Sequence, residues 1–97
     1  MKHILQDDFT VGELFYCLIQ DIEDYLMRNE DEDIYFVLAQ LDALKEKYDL
    51  QKFDQRHLSV LISNVDYLRQ KSKKDEKYLP FYKDIKVILK RVQNEIK

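Results

Sequence analysis

The chain has 97 residues, of which 45% are hydrophobic and 36% are charged, and its net charge is −3 at pH 7. This length predicts one domain with a single modest core. One Gly and one Pro argue against sheets and long loops, which need turn residues, and favour helices with short connections. The lone Cys17 excludes an internal disulfide, and residues 1–8 lack the apolar run of a signal peptide, so we expect an intracellular protein without a membrane span.

The first helix is predicted at about residues 10–29. Thr10 and Glu13 have the spacing of a capping box, in which each side chain accepts a hydrogen bond from the backbone of the other. The residues that follow are apolar at every third or fourth position, which places them on one face of a helix. They are Val11, Leu14, Phe15, Leu18, Ile19, Ile22, Tyr25 and Leu26.

The second helix is predicted at about residues 33–49, with Asp33 as its N-cap. The acidic run at residues 30–33 lacks the alternating ligands and the glycine of a calcium loop, so helix capping and solvation explain it better than a bound cation. The apolar face of this helix is formed by Ile34, Val37, Leu38, Leu41, Leu44 and Tyr48.

The third helix is predicted at about residues 54–72, with Asp54 as its N-cap. A lysine-rich stretch at 71–77 predicts an exposed loop, and Pro80 fits the first position of a fourth helix at about 80–96. The apolar face of the third helix is formed by Leu58, Leu61, Ile62, Val65 and Leu68, and that of the fourth by Phe81, Ile85, Ile88, Leu89, Val92 and Ile96. Four amphipathic helices with short connections predict an all-α, antiparallel four-helix bundle.

The two halves of the sequence carry opposite charge. Residues 1–49 contain 4 Lys or Arg against 13 Asp or Glu, a net charge of −9, whereas residues 50–97 contain 12 against 6, a net charge of +6. No catalytic or cofactor motif accompanies this polarity. His3 lies near the start of the chain, His57 is expected at the surface, and Cys17 is expected to be a small buried residue. We therefore expect a binding protein with neither enzymatic activity nor a metal or cofactor.

Residues 67–82, the basic hairpin, combine tyrosines with cations, which is a composition typical of protein-binding hot spots. A core margin for the tyrosines and a solvated face for the lysines is the alternative interpretation. Phosphate groups, anionic lipid head groups or an acidic protein face are the partners that the cations suit, although a pI of 5.3 disfavours nucleic acid. The candidate contact residues are Tyr67, Arg69, Lys71, Lys73, Lys74, Lys77, Tyr78 and Tyr82.

Residues 10–96 resemble the immunity proteins of pediocin-like bacteriocins, the enterocin A immunity family. The resemblance rests on size, helix order and three patterns: Leu41-x-x-Leu44-Lys45-x-Lys47-Tyr48, Leu58-x-x-Leu61-Ile62-x-x-Val65-x-Tyr67-Leu68, and Leu79-Pro80-Phe81-Tyr82-x-x-Ile85-x-x-Ile88-Leu89. It implies a cytoplasmic four-helix bundle, peripheral at the inner face of the membrane, that protects the cell. Its implied partner is the bacteriocin-occupied membrane receptor, the mannose phosphotransferase permease, and the second half of the chain is implied to confer specificity.

Two other interpretations of the charge pattern remain open. One is a small regulatory adaptor or antitoxin, in which the acidic residues at 21–33 or the basic hairpin bind a protein or a nucleic acid. The other is a homodimer whose oppositely charged halves pair head to tail, an association that salt would weaken.

Overall fold

The computed structural model of the chain describes residues 9–96, which form four α-helices. They are α1 (Val11–Arg28), α2 (Glu32–Asp49), α3 (Gln55–Lys74) and α4 (Leu79–Ile96), and one turn of 3-10 helix, Glu76–Tyr78, precedes α4. Helix α1 packs against α2 and α4, and α3 packs against α2 and α4. The predicted all-α antiparallel four-helix bundle is therefore confirmed, because each helix covers the apolar faces of two others.

The core is built from the apolar positions that the sequence spacing identifies. Eight large side chains of the core, two from each helix, are 0% exposed: Phe15, Ile22, Ile34, Leu41, Leu61, Leu68, Ile85 and Ile88. Ile62 was predicted to join them, and this prediction is wrong, since Ile62 is 42% exposed. The inward face of α3 instead includes the polar residue Asn64, which is buried. Its side-chain Nδ2 donates a hydrogen bond to the backbone carbonyl of Val60 at 2.9 Å. The buried positions of α3 are Leu61, Asn64, Val65 and Leu68. Their mean direction lies about 110° from Ile62 at about 100° per residue, which places Ile62 beside this buried face.

Two of the predicted helix starts are confirmed. At the start of α1 the Thr10 hydroxyl accepts from the Glu13 N–H at 3.1 Å, and the Glu13 carboxylate accepts from the Thr10 N–H at 2.8 Å. At the start of α3 the Asp54 carboxylate accepts from the backbone N–H of His57 at 3.4 Å, and the His57 Nδ1 accepts from the Asp54 N–H at 3.1 Å. His57 is therefore a half-buried capping residue and not a surface residue as expected.

The start of α2 and the end of α3 differ from the predictions. Asp31, and not Asp33, is the N-cap of α2, and α2 begins at Glu32. The exposed loop predicted at 71–77 is also wrong, because α3 continues to Lys74 and the 3-10 turn follows after Asp75. Lysine is a good helix former and its charge favours a helix C-terminus, so the lysine-rich sequence extends α3. Pro80 is consequently the second residue of α4, still within the first turn, where no N–H is required.

At the other end of the bundle, α4 contacts α2 and the residues that precede α1. The Tyr48 hydroxyl donates to the Glu95 carboxylate at 2.7 Å, and the Arg91 Nη2 donates to the carbonyl of Phe9 at 2.8 Å. Partial burial and the bond to Glu95 raise the pKa of Tyr48 to about 12. These contacts fix the register of α4 and thereby the position of its outer face.

Candidate interaction surfaces

One end of the bundle contains a network centred on the carboxylate of Asp31, in the connection between α1 and α2. Its Oδ1 accepts from the backbone N–H of Ile34 at 3.2 Å, which caps α2. Its Oδ2 accepts from the hydroxyl of Tyr25 at 2.8 Å and from the hydroxyl of Tyr78 at 2.6 Å. Asp31 and Tyr78 are 47 residues apart, so this carboxylate joins the first half of the chain to the 3-10 turn before α4.

Two lysines of the basic hairpin pack against the same network. The Lys71 ammonium lies 5.3 Å from the ring centroid of Tyr78 and 3.2 Å from the carboxylate of Asp33. The Lys77 ammonium lies 5.2 Å from the ring of Tyr78 and 5.8 Å from that of Tyr25. We call this assembly the corner cluster. It consists of Tyr25, Asp31, Asp33, Tyr67, Lys71, Lys77 and Tyr78.

The pKa values in the corner cluster follow from these contacts. Partial burial of Asp31 acts to raise the pKa of its carboxyl, but the hydrogen bonds from Tyr78, Tyr25 and Ile34 outweigh burial and leave the pKa below its ordinary value. Burial and the bond to the Asp31 carboxylate raise the pKa of Tyr78 above its ordinary range. Burial, with the nearby Asp33 carboxylate, also raises the pKa of Tyr67. Asp31 is therefore held in its ionised form beside the neutral hydroxyl of Tyr78.

The structure divides the eight candidate contact residues into two groups. Tyr67, Lys71, Lys77 and Tyr78 belong to the corner cluster, and Tyr78 is buried with only 7% of its surface exposed. Their side chains already have partners within the molecule, and the ring of Tyr78 offers almost no surface to a second protein. The other four residues, which lie outside the cluster, are Arg69, Lys73, Lys74 and Tyr82.

A row of exposed lysines on α4 adjoins the second group. Lys83, Lys86 and Lys90 are spaced by three and four residues, so they lie on one side of α4, opposite its buried residues. The Lys86 ammonium lies 5.1 Å from the ring of Tyr82. Arg69 of α3, which forms an ion pair with Asp66, lies in the neighbourhood of Tyr82.

This surface, which we call the cationic face, extends from α4 to the neighbouring edge of α3. Lys83 and Lys90 form no ion pair with any residue in the described part of the chain. Their charges are therefore available to a partner. The cationic face consists of Arg69, Lys73, Tyr82, Lys83, Lys86 and Lys90.

Sequence reasoning missed three large apolar side chains that are exposed at the end of α1 and the start of α2. Met27, 84% exposed, and Tyr35, 65% exposed, line one groove, whereas Phe36, 62% exposed, lies on the side of α2 that faces α3. The signal in the sequence was that Tyr35 and Phe36 fall outside the apolar face of α2, although each resembles a core residue by type. Cys17, expected to be buried, is half-buried on α1.

Over residues 9–96, no group of three or more His, Cys, Asp or Glu side chains is placed to hold a metal ion. None of the described helices has the length and hydrophobicity required to cross a bilayer. Comparison of the chain with protein-family models, curated proteins and solved structures yields no match.

Proposed function

We propose that the protein acts by binding and not by catalysis, as an immunity protein against pediocin-like bacteriocins. The observation that carries this proposal is the cationic face, a row of exposed lysines beside a half-buried tyrosine on the outer side of the α3–α4 pair. The resemblance of residues 10–96 to the enterocin A immunity family supplies the choice of partner. That partner is the bacteriocin-occupied mannose phosphotransferase permease, approached from its cytoplasmic side.

Within the basic second half of the chain, a partner can bind the cationic face with the least loss of contacts inside the molecule. A partner that recruited Lys71 or Lys77 would have to replace their contacts with Asp33 and the tyrosine rings. Lys83, Lys86 and Lys90 are exposed. The ring of Tyr82 beside them gives an aromatic anchor of the kind found in interface hot spots. Anionic head groups next to the receptor would add about 1 kcal/mol for each lysine close to the membrane surface.

Expression in a strain sensitive to pediocin-like bacteriocins tests the proposal. The wild-type chain is expected to protect the strain against one or a few peptides of a panel. The double variant Lys83→Glu with Lys90→Glu is expected to lose protection, because it reverses two charges of the cationic face. Killing by every peptide, with the wild-type protein expressed and folded, would overturn the proposal.

A matched control separates the location of charge from its amount. The variant Lys47→Glu with Lys52→Glu makes the same change in net charge. Both of these lysines are exposed, and they lie at the C-terminal end of α2 and in the connection that follows it. This control is expected to protect as well as the wild type. Equal loss of protection in both variants would show that net charge matters and the cationic face does not.

A further inference from the structure

A groove opens on the side of the bundle where α1 ends and α2 begins. Its volume is about 760 Å³. Its apolar surface comes from two residues of each helix, namely Leu26 and Met27 of α1 and Tyr35 and Leu38 of α2. Leu26 is half-buried and Leu38 is 8% exposed, so they form the floor, whereas Met27 and Tyr35 stand at the surface.

The residues around this floor are acidic. Glu23, Glu30 and Glu32 line the groove and are all exposed. Between residues 4 and 44 the sequence contains 11 Asp or Glu and one Lys or Arg, Arg28. Lys71 and Lys77 lie beside Asp31 and Asp33 in the corner cluster, whereas Glu23, Glu30 and Glu32 form no ion pair within residues 9–96. We call the surface formed by these seven lining residues the acidic groove.

The composition of the acidic groove selects among ligand classes. Its carboxylates are not grouped to hold a metal ion within the described range of the chain. Their charge disfavours an anionic bilayer. An apolar floor between acidic rims is complementary to a helix with one apolar face and cationic flanks, whose lysine or arginine stems lie along the apolar surface while their charged ends reach the carboxylates.

We propose that the acidic groove binds a basic amphipathic helix of a partner protein. Met27 supplies a flexible, polarisable contact that adapts to different apolar side chains, and Tyr35 supplies a rigid aromatic one. Tyr16, 56% exposed, lies three turns before Met27 on the same side of α1. A ligand helix of about 18 residues, about 27 Å long, would reach from the groove to this tyrosine.

This proposal does not depend on the proposed immunity function. The acidic groove lies between α1 and α2, whereas the cationic face lies on α3 and α4. Peptide binding is measured with the purified chain, and protection is measured in cells. Failure of one experiment therefore leaves the other proposal standing.

The test uses a synthetic amphipathic peptide of about 18 leucines and lysines, with leucines at helical spacing. Fluorescence anisotropy of the labelled peptide measures its affinity for the full chain, and a scrambled peptide of identical composition serves as the probe control. The groove variant is Met27→Ser with Tyr35→Ser. Its matched control, Leu50→Ser with Ile62→Ser, removes two exposed apolar side chains outside the groove.

We expect the amphipathic peptide to bind at least about tenfold more tightly than the scrambled one, and the groove variant to lose about tenfold in affinity. The control variant should change the affinity by less than about twofold, and amide chemical-shift changes should concentrate between residues 23 and 38. Equal affinity for the scrambled peptide, or equal loss in the control variant, would overturn the proposal. Self-association of the chain that the groove variant abolishes would also overturn it, since a second copy would then be the occupant.

Discussion

Removal of the Tyr78 hydroxyl tests whether the corner cluster holds the two halves of the bundle together. In the variant Tyr78→Phe the ring remains in place, so no cavity forms, and the 2.6 Å hydrogen bond from the hydroxyl to Asp31 is lost. A hydrogen bond to a charged group contributes about 1.5–3 kcal/mol. Asp31 keeps its hydrogen bonds from Tyr25 and Ile34. We therefore expect the free energy of unfolding to decrease by an amount near the lower end of this range.

Urea denaturation followed by circular dichroism measures this change. A domain of this size loses about 4–8 °C in Tm for each kcal/mol, so thermal unfolding gives a second measure. Tyr35→Phe is the control, because Tyr35 is 65% exposed, and its effect should stay within about 0.5 kcal/mol. The reasoning fails if the two variants are equally stable.

The pH dependence of the stability difference between the wild type and Tyr78→Phe tests whether the Tyr78 hydroxyl acts through the Asp31 carboxylate. The pKa of Asp31 is lower in the folded state than in the unfolded state, so its stabilising contribution is present above the unfolded pKa of 3.8 and is lost as the pH falls through the folded value. The stability difference between wild type and Tyr78→Phe should therefore be full at about pH 7 and shrink below about pH 4. A difference that stays constant with pH would show that the hydroxyl does not act through the Asp31 carboxylate.

Three further predictions concern the core, a helix cap and alkaline stability. Leu61→Ala should lower the free energy of unfolding by about 2–5 kcal/mol, because Leu61 is fully buried. Ile62→Ala, one residue further, should change it by less than about 1 kcal/mol in the same urea experiment. Similar losses at both positions would contradict the assignment of Leu61 to the buried face of α3. Thr10→Ala should cost about 1 kcal/mol through loss of the capping box, with an unchanged denaturant slope. The pKa of Tyr48 is raised from 10.0 to about 12, so the contribution of its hydroxyl to stability is full below pH 10 and is lost as the pH rises through 12. Tyr48→Phe should therefore lose less stability than the wild type between pH 10 and pH 12. An identical loss in both proteins would refute this assignment.

Local sequence signals were sufficient where a structural element depends on nearby residues. The caps at Thr10 and Asp54 follow from side chains that reach the backbone two or three residues away. The apolar spacing likewise identified the buried face of each helix. Choosing among the acidic residues before α2 required information from elsewhere in the chain. Asp31 caps that helix while it binds Tyr25 and Tyr78, and nothing in the local pattern distinguishes it from Asp33.

The candidate contact residues show the same limit. Composition grouped the lysines and tyrosines of the basic hairpin, but it could not separate those that pack within the bundle from those that face outward. The separation depends on the continuation of α3 to Lys74, which turns Lys71 toward Asp33, and on the acidic residues of the opposite half. Tyr35, in contrast, resembles a core residue by type and becomes a surface residue because α2 presents another face to the core.

The most direct test of the account compares two variants in the same protection assay at matched levels of folded protein. Lys71→Met removes a charge from the corner cluster, and Lys83→Glu with Lys90→Glu reverses two charges on the cationic face. Our account predicts that Lys71→Met still protects a sensitive strain, although its purified form is less stable, and that the α4 variant is as stable as the wild type but does not protect. Full protection by the α4 variant, or loss of protection by Lys71→Met alone, would contradict it.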